Sequence, residues 1–197
     1  MSKISITPNA SGTGVFTISS PATNIDRTLT LPDEAGTIIT TATPNALTNL
    51  DQILHVRDEK PSTTTGGSSV AGNQVRTLNT VVSNTITGAS LAANQITLPA
   101  GIYTVLATAP TYRSDRHRIR LVNVTDALVL LLGTSEYTTS SEVQTRSIID
   151  GKFTLGASKV LNITHATANA QVTFGLGVDA NDTFAEVYTS VFITKIG

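Results

Sequence analysis

The chain has 197 residues, of which 40% are hydrophobic and only 14% charged, with a net charge of −1. That length suits one sizeable core with an appendage, and the near-neutral balance supplies no basic field that would draw in a polyphosphate backbone, so nucleic acid is not an expected partner. Cysteine is absent, which excludes a disulfide framework and any thiolate metal site.

In chain order, residues 1–51 are rich in turn signals: PNASGTG, SSPATN, LPDEAG and TPNA. The apolar runs between them, such as Val15-Phe16-Thr17-Ile18 and Leu29-Thr30-Leu31, are too short to form a core, and a lone hairpin is barely stable in water. The segment is therefore expected to lie against something else, as a stem or attachment element. The stretch RTLTLPDEAGTIIT reads as strands that complete themselves on partner chains, with Pro32 at a position that needs no ladder donor. MSKISITPNASG lacks the apolar core of a signal peptide, and no run approaches the ~18 apolar residues of a membrane span. Synthesis in a cytoplasm without membrane insertion is expected.

From Gln52 onward the alternation lengthens and becomes regular. Period-2 patterning predicts strands near 52–58, 75–82, 94–98, 101–111, 116–125, 128–134, 143–155, 158–165, 171–178 and 184–195, and a short helical turn near 46–52. Leu98-Pro99-Ala100-Gly101 and Asp150-Gly151 read as turns, and PSTTTGGSSVAGN, residues 61–73, as a long flexible loop. The 34 threonines, with many Val and Ile, favour a pleated surface. Together these predict an all-β head over residues 52–197, a two-sheet sandwich of the jelly-roll kind.

In YRSDRHRIR, inward Ile119 and Leu121 would carry His117 inward and leave Arg116, Arg118 and Arg120 in a row on the opposite face. Such a row could grip carboxylates or sulfates of a polysaccharide, or pair with Asp or Glu of a neighbouring strand or subunit. Asp115, Asp126 and Glu136 are close in sequence and make pairing the expectation. His55, His117 and His165 lack zinc-motif spacing and read as core or interface residues. VDAND, residues 178–182, offers Asp179, Asn181 and Asp182 but lacks the later Glu of a calcium loop, so it reads as a turn. No metal, cofactor or catalytic residue is expected, and the chain reads as a non-enzyme. A surface glycan, if bound, is expected at Tyr112, Arg113, Ser114, Asp115 and Tyr137, where aromatic faces and polar neighbours lie together.

The last predicted strand, EVYTSVFITKIG, is apolar on both faces near its end. Val187, Thr189, Val191 and Ile193 share one face; Tyr188, Ser190, Phe192, Thr194 and Ile196 share the other. Either the second face meets a neighbouring subunit, or the strand is central and covered by a loop.

The runs ILHVRDEK, QVRTLNTVVSNTITGASLAANQITLPAGIYTVLATAPTYRSDRHRIRLVNVTD, LLGTSEYT, QTRSIIDGKFTL, FGLGV and EVYTSVFITKIG, in that order, resemble a β-domain found at the carboxyl end of bacteriophage tail fibres and related virion appendages. GTGVFTISSPATNIDRTLTLPDEAGTIITT separately resembles a common phage-fibre element through PATN and RTLTLPD. The resemblance implies a homotrimeric, tumour-necrosis-factor-like jelly-roll head on a short stem within a virion. Tyr188, Ser190, Phe192, Thr194 and Ile196 would then lie near the threefold axis, and residues 1–51 would contact other virion proteins of the tail or capsid. Two roles follow from the resemblance: a short tail fibre or receptor-binding protein, or a capsid decoration protein or head fibre.

Overall fold

The computed structural model describes residues 11–15, 17, 24–26, 28, 52–138 and 142–197. The chain divides into two compact units, Met1–Ile38 and Ile39–Gly197. The expected boundary after residue 51, the stem strands of RTLTLPDEAGTIIT and nearly all of the expected helical turn lie outside the described residues.

Over its described residues the second unit is all-β, with β1 Ile53–Lys60, β2 Gly72–Val75, β3 Thr80–Asn84, β4 Ser90–Ala92, β5 Gln95–Leu98, β6 Gly101–Tyr112, β7 Asp115–Asn123, β8 Leu128–Leu132, β9 Glu136–Thr138, β10 Gln144–Leu155, β11 Lys159–Thr167 and β12 Glu186–Lys195. No helix occurs among the described residues, so none there is long and apolar enough to cross a membrane. The first sheet runs β10-β6-β12-β1-β3; the second runs β4-β5-β11-β7-β8, with β2 on β11 and β9 on β7. Neighbouring strands are antiparallel throughout. Along the chain β1, β6, β10 and β12 fall in one sheet and β5, β7, β8 and β11 in the other. That crossing back and forth between sheets is jelly-roll connectivity.

The alternation seen in the sequence puts one apolar set inside. Leu54, Val56, Ile96, Leu98, Tyr103, Val105, Ala107, Ile119, Leu121, Ile149, Leu161, Ile163, Val191 and Ile193 are buried between the sheets. Each Leu or Ile there contributes about 1.5–3 kcal/mol relative to exposure. The longest ladder, β6 on β10, stays in register from Gly101↔Leu155 to Tyr112↔Gln144.

Several sequence expectations are corrected. Asp150-Gly151 is not a turn: it lies inside β10, opposite Leu106 and Val105. A Cβ at Gly151 would lie 3.1 Å from Leu131, so the glycine makes room for that side chain of β8 in the other sheet. The strand expected at 75–82 is divided into β2 and β3, because Arg76 and Leu78 between them turn inward and are buried. The strands β4 and β9 were not foreseen; each has three residues, too few to show a period.

The expected strand at 171–178 is absent. Its backbone instead bonds the 61–73 segment, with Gly66 N donating to Gly177 O, Leu176 N to Gly67 O and Ser69 N to Gln171 O. The polar loop is thereby held in place, and its last residues open β2. Gly177 has φ +138°, and a Cβ there would lie 2.2 Å from the Tyr188 ring. Replacing Gly177 with alanine is expected to lower the urea midpoint by an amount worth about 1–3 kcal/mol, because Tyr188 must leave its seat. An unchanged midpoint would show that the ring has space to move.

Candidate functional site

Where the 61–69 and 171–177 segments meet the ends of β6 and β12, the interior becomes polar. Arg76 is completely buried; it donates from Nε to Thr189 Oγ1 at 2.8 Å, from Nη1 to Pro110 O at 3.3 Å and from Nη2 to Leu176 O at 3.0 Å. A guanidinium suits this place because its planar fork carries five donors in fixed directions. Burial lowers its pKa to about 10, and the nearby Asp58 charge opposes that fall. Asp58 is itself 1% exposed, and desolvation raises its pKa. His117 and His165 are also enclosed, Nδ1 of His117 lying 3.0 Å from Nε2 of His165 and Nε2 of His117 lying 2.8 Å from Thr145 Oγ1. Burial pulls the His117 pKa down to about 4 and the His165 pKa down to about 2. Nδ1 of His165 has no hydrogen-bond partner. The tautomer in which His165 donates to His117, and His117 to Thr145, leaves only a bare lone pair there; the alternative strands an N–H.

The β6–β7 turn carries four of the five sequence-predicted ligand residues, but they do not form one surface. Arg113 (φ 51°) and Asp115 (φ 62°) are left-handed on either side of Ser114. Ser114 is fully buried: its hydroxyl donates to Tyr112 O at 3.0 Å and meets Ser69 Oγ at 3.0 Å, and its N–H donates to Thr138 Oγ1 at 2.8 Å. It fastens the turn from within and offers nothing to a ligand. Tyr112 meets Phe174 edge-on at 6.3 Å, with the Arg113 guanidinium 5.8 Å from its ring centroid. Tyr112 lines a cleft of about 560 Å³ with Gln144, Arg146, Asp179 and Glu186. Two charges in that cleft are engaged with backbone, Arg146 with Tyr188 O at 2.9 Å and Glu186 with Ala180 N at 3.0 Å.

Tyr137 lies elsewhere. It is 56% exposed and stands beside Arg116 in the β7–β9 ladder. Here the expected alternation holds: His117, Ile119 and Leu121 are buried, and Arg116, Arg118 and Arg120 occupy the outer face. Among the described residues of the single chain, the expected pairing with carboxylates of a neighbouring strand does not occur. The ion pairs among the described residues are Arg57–Glu59 and Lys159–Asp126. Arg118 instead donates to Ser135 Oγ, and Arg120 to Asn73 Oδ1 at 3.4 Å. The reason lies in register, since β11 sets Ala166 opposite Arg118 and Thr164 opposite Arg120. The row, with Ser135, Glu136, Tyr137, Ala166, Thr167 and Ala168, lines an open groove of about 850 Å³. Its one carboxylate, Glu136, accepts from Thr134 Oγ1 at 2.7 Å.

The residues singled out on the last strand separate by position. Tyr188 is 2% exposed, held by Tyr188 Oη donating to Thr64 O at 2.7 Å; here a loop does cover the strand. Further along, Phe192 is 38% and Ile196 45% exposed, with Ser190 and Thr194 half-buried. Phe192 lies between Leu106 of β6 and His55 of β1, whose ring it meets edge-on at 5.6 Å. Leu106 is 51% and Ile148 41% exposed on the same outer face, with Thr104, Thr108, Ser190 and Thr194 between them on the central strands and Asp150 and Arg57 on the strands that flank those.

VDAND forms a turn, with Asn181 at φ 53° and Phe184 N donating to Asp182 Oδ1 at 2.8 Å. Among the described residues no three His, Asp or Glu gather as metal ligands. Arg76 and Asn73 were missed in the sequence. Both lie in or beside a four-residue strand whose polar character gives no periodic signal.

No family model matches the chain, and no curated protein does. Solved structures similar to it include murine APRIL at pH 8.5, with 12% identity over 73% of this chain and 98% of that one and a TM-score of 0.46. The globular domain of zebrafish complement 1qA protein is similar at 13% identity over 75% of this chain and 98% of that one, with a TM-score of 0.49.

Proposed function

We propose that this chain is a structural protein of a bacteriophage virion, a short tail fibre or receptor-binding protein. Residues 1–51 attach it to other virion proteins, and its jelly-roll head is presented to the host surface as a homotrimer. The observation that carries the trimer is the outer face of the first sheet. At its centre Leu106 and Phe192 stand half-exposed among threonines, serine and His55, with no charged side chain on β6 between Thr104 and Thr108 or on β12 between Ser190 and Thr194, and the charges stand on the flanking strands, Asp150 opposite Leu106 and Arg57 opposite Ser190. Charge depletion around apolar and aromatic side chains is what the buried core of a subunit interface requires. Closed cyclic symmetry then covers the face in every copy. The virion role rests on the ordered motifs of the head together with the fibre-like leading segment. The reading is of a binding and structural protein rather than an enzyme.

Light scattering of the full chain at micromolar concentration is expected to give three times the 20.6 kDa chain mass. Phe192→Asp is expected to reduce that to one chain, since a carboxylate would have to be dried at the interface. A wild-type mass of a single chain would refute the trimer. Saturable binding to host cells supports the tail role; binding only to assembled capsids transfers the chain to the decoration role.

A further inference from the structure

The groove along β7 stands apart from the face assigned to subunit contact, on the outside of the other sheet. Its chemistry is specific. Arg116, Arg118 and Arg120 alternate along one strand, so their Cα atoms are about 7 Å apart and their guanidinium groups point to one side. Arg118 and Arg120 are steered by neutral partners, Ser135 and Asn73, which orient a guanidinium without cancelling its charge. Arg116 has no side-chain partner among the described residues. Ala166 and Ala168 keep the adjoining floor low, and Tyr137 offers a ring face beside Arg116.

Three guanidinium groups in a line, none in an ion pair among the described residues and with Glu136 as the one carboxylate of the groove, suit a ligand with repeated anionic groups, and their forks fit planar carboxylates or the oxygens of a sulfate. The exposed ring requires something flat and partly apolar next to the first of those anions. We propose that this groove binds an acidic polysaccharide, with Arg116, Arg118 and Arg120 taking carboxylate or sulfate groups along the chain and Tyr137 stacking on a sugar ring. A nucleic acid fits less well, because a single strand is held by successive aromatic platforms and by a basic field. Among the described residues that line the groove, Tyr137 is the one exposed Tyr or Phe ring, and the net charge of the chain is −1. The inference rests on the reading of the head as a surface-binding module and names the ligand class of that module.

The test uses the full chain and four probes: a sulfated heparin oligosaccharide, an oligogalacturonate, a neutral dextran oligosaccharide and an oligothymidylate. Saturable binding to the sulfated or the carboxylated glycan, with dextran silent, is expected, and the preferred one of the two identifies the anion. Arg118→Gln should weaken binding about tenfold, the loss of one charge-assisted contact, and the triple change of Arg116, Arg118 and Arg120 to Gln should abolish it. Lys152→Gln, an equal charge change on β10 of the other sheet, should bind as the wild type does. Circular dichroism and light scattering on the same samples separate loss of the groove from loss of fold or of the trimer. The proposal is overturned if neither acidic glycan binds, if the oligothymidylate binds as tightly, or if the folded triple variant keeps its affinity.

Discussion

Replacing Arg76 with leucine is expected to destabilise the head by about 3–5 kcal/mol, the usual consequence of removing one member of a buried charged set. Leucine fills part of the volume but leaves Thr189 Oγ1, Pro110 O and Leu176 O without their donor in a place water does not reach. It also leaves Asp58, whose Oδ1 already lacks a partner, with no nearby cation in the interior beyond Lys60. Denaturant unfolding at fixed chain concentration should show a lower midpoint with an unchanged slope. Adding Asp58→Asn should recover part of the loss, because the two charges are energetically coupled. If R76L unfolds where the wild type does, the guanidinium contributes no net stability and its three contacts only replace hydration.

The second large effect is acid sensitivity. His117 and His165 have folded pKa values of about 4 and about 2, against the ordinary 6.5 that they regain on unfolding. Between those limits the unfolded chain binds protons that the folded chain refuses, so stability falls as pH drops below 6.5. The slope is about 1.4 kcal/mol per pH unit for enclosed His165 and less for His117, whose edge reaches the groove and is screened there. From pH 7 to 4.5 this amounts to roughly 3 kcal/mol or more. The charges facing the pair act in both directions: Arg76 opposes protonation of both rings, and Glu136 favours that of His117. Asp58, with a raised pKa, contributes oppositely at the acid end. Thermal unfolding from pH 7 to 4.5 should show the fall, and the double change of His117 and His165 to Gln should flatten it even though the starting stability is lower. A profile as steep in the double variant would assign the acid response to other groups.

The sequence revealed most where alternation ran long. β6, β7, β10, β11 and β12 each have nine or more residues, enough for the inward set to be read from Ile, Leu and Val alone. The same logic placed His117 inward and three arginines outward. It could not say what lies opposite them, because the partner strand β11 is more than forty residues away and its register brings Ala166 and Thr164 where carboxylates were expected. The region 171–178 misled because FGLGV looks apolar and extended, whereas its glycines are there to let Ser69 and Tyr188 approach. The buried seam around Arg76 was invisible for a related reason: its partners Pro110, Leu176 and Thr189 are 34 to 113 residues distant. For the ligand residues, nearness in sequence suggested one patch at 112–115, but left-handed residues at Arg113 and Asp115 turn Ser114 inside.

Strand order also governs when this head can exist. β12 lies between β6 and β1 and pairs with both, with one register shift on the β1 side between Arg57 and Glu59. While a ribosome is still adding residues 186–195, the first sheet has a gap through its middle and two unsatisfied strands facing it. Nascent chains at that stage expose the surfaces most prone to aggregate. Closure of the sheet therefore follows synthesis of β12, and any association through Leu106 and Phe192 must come after that strand is in place.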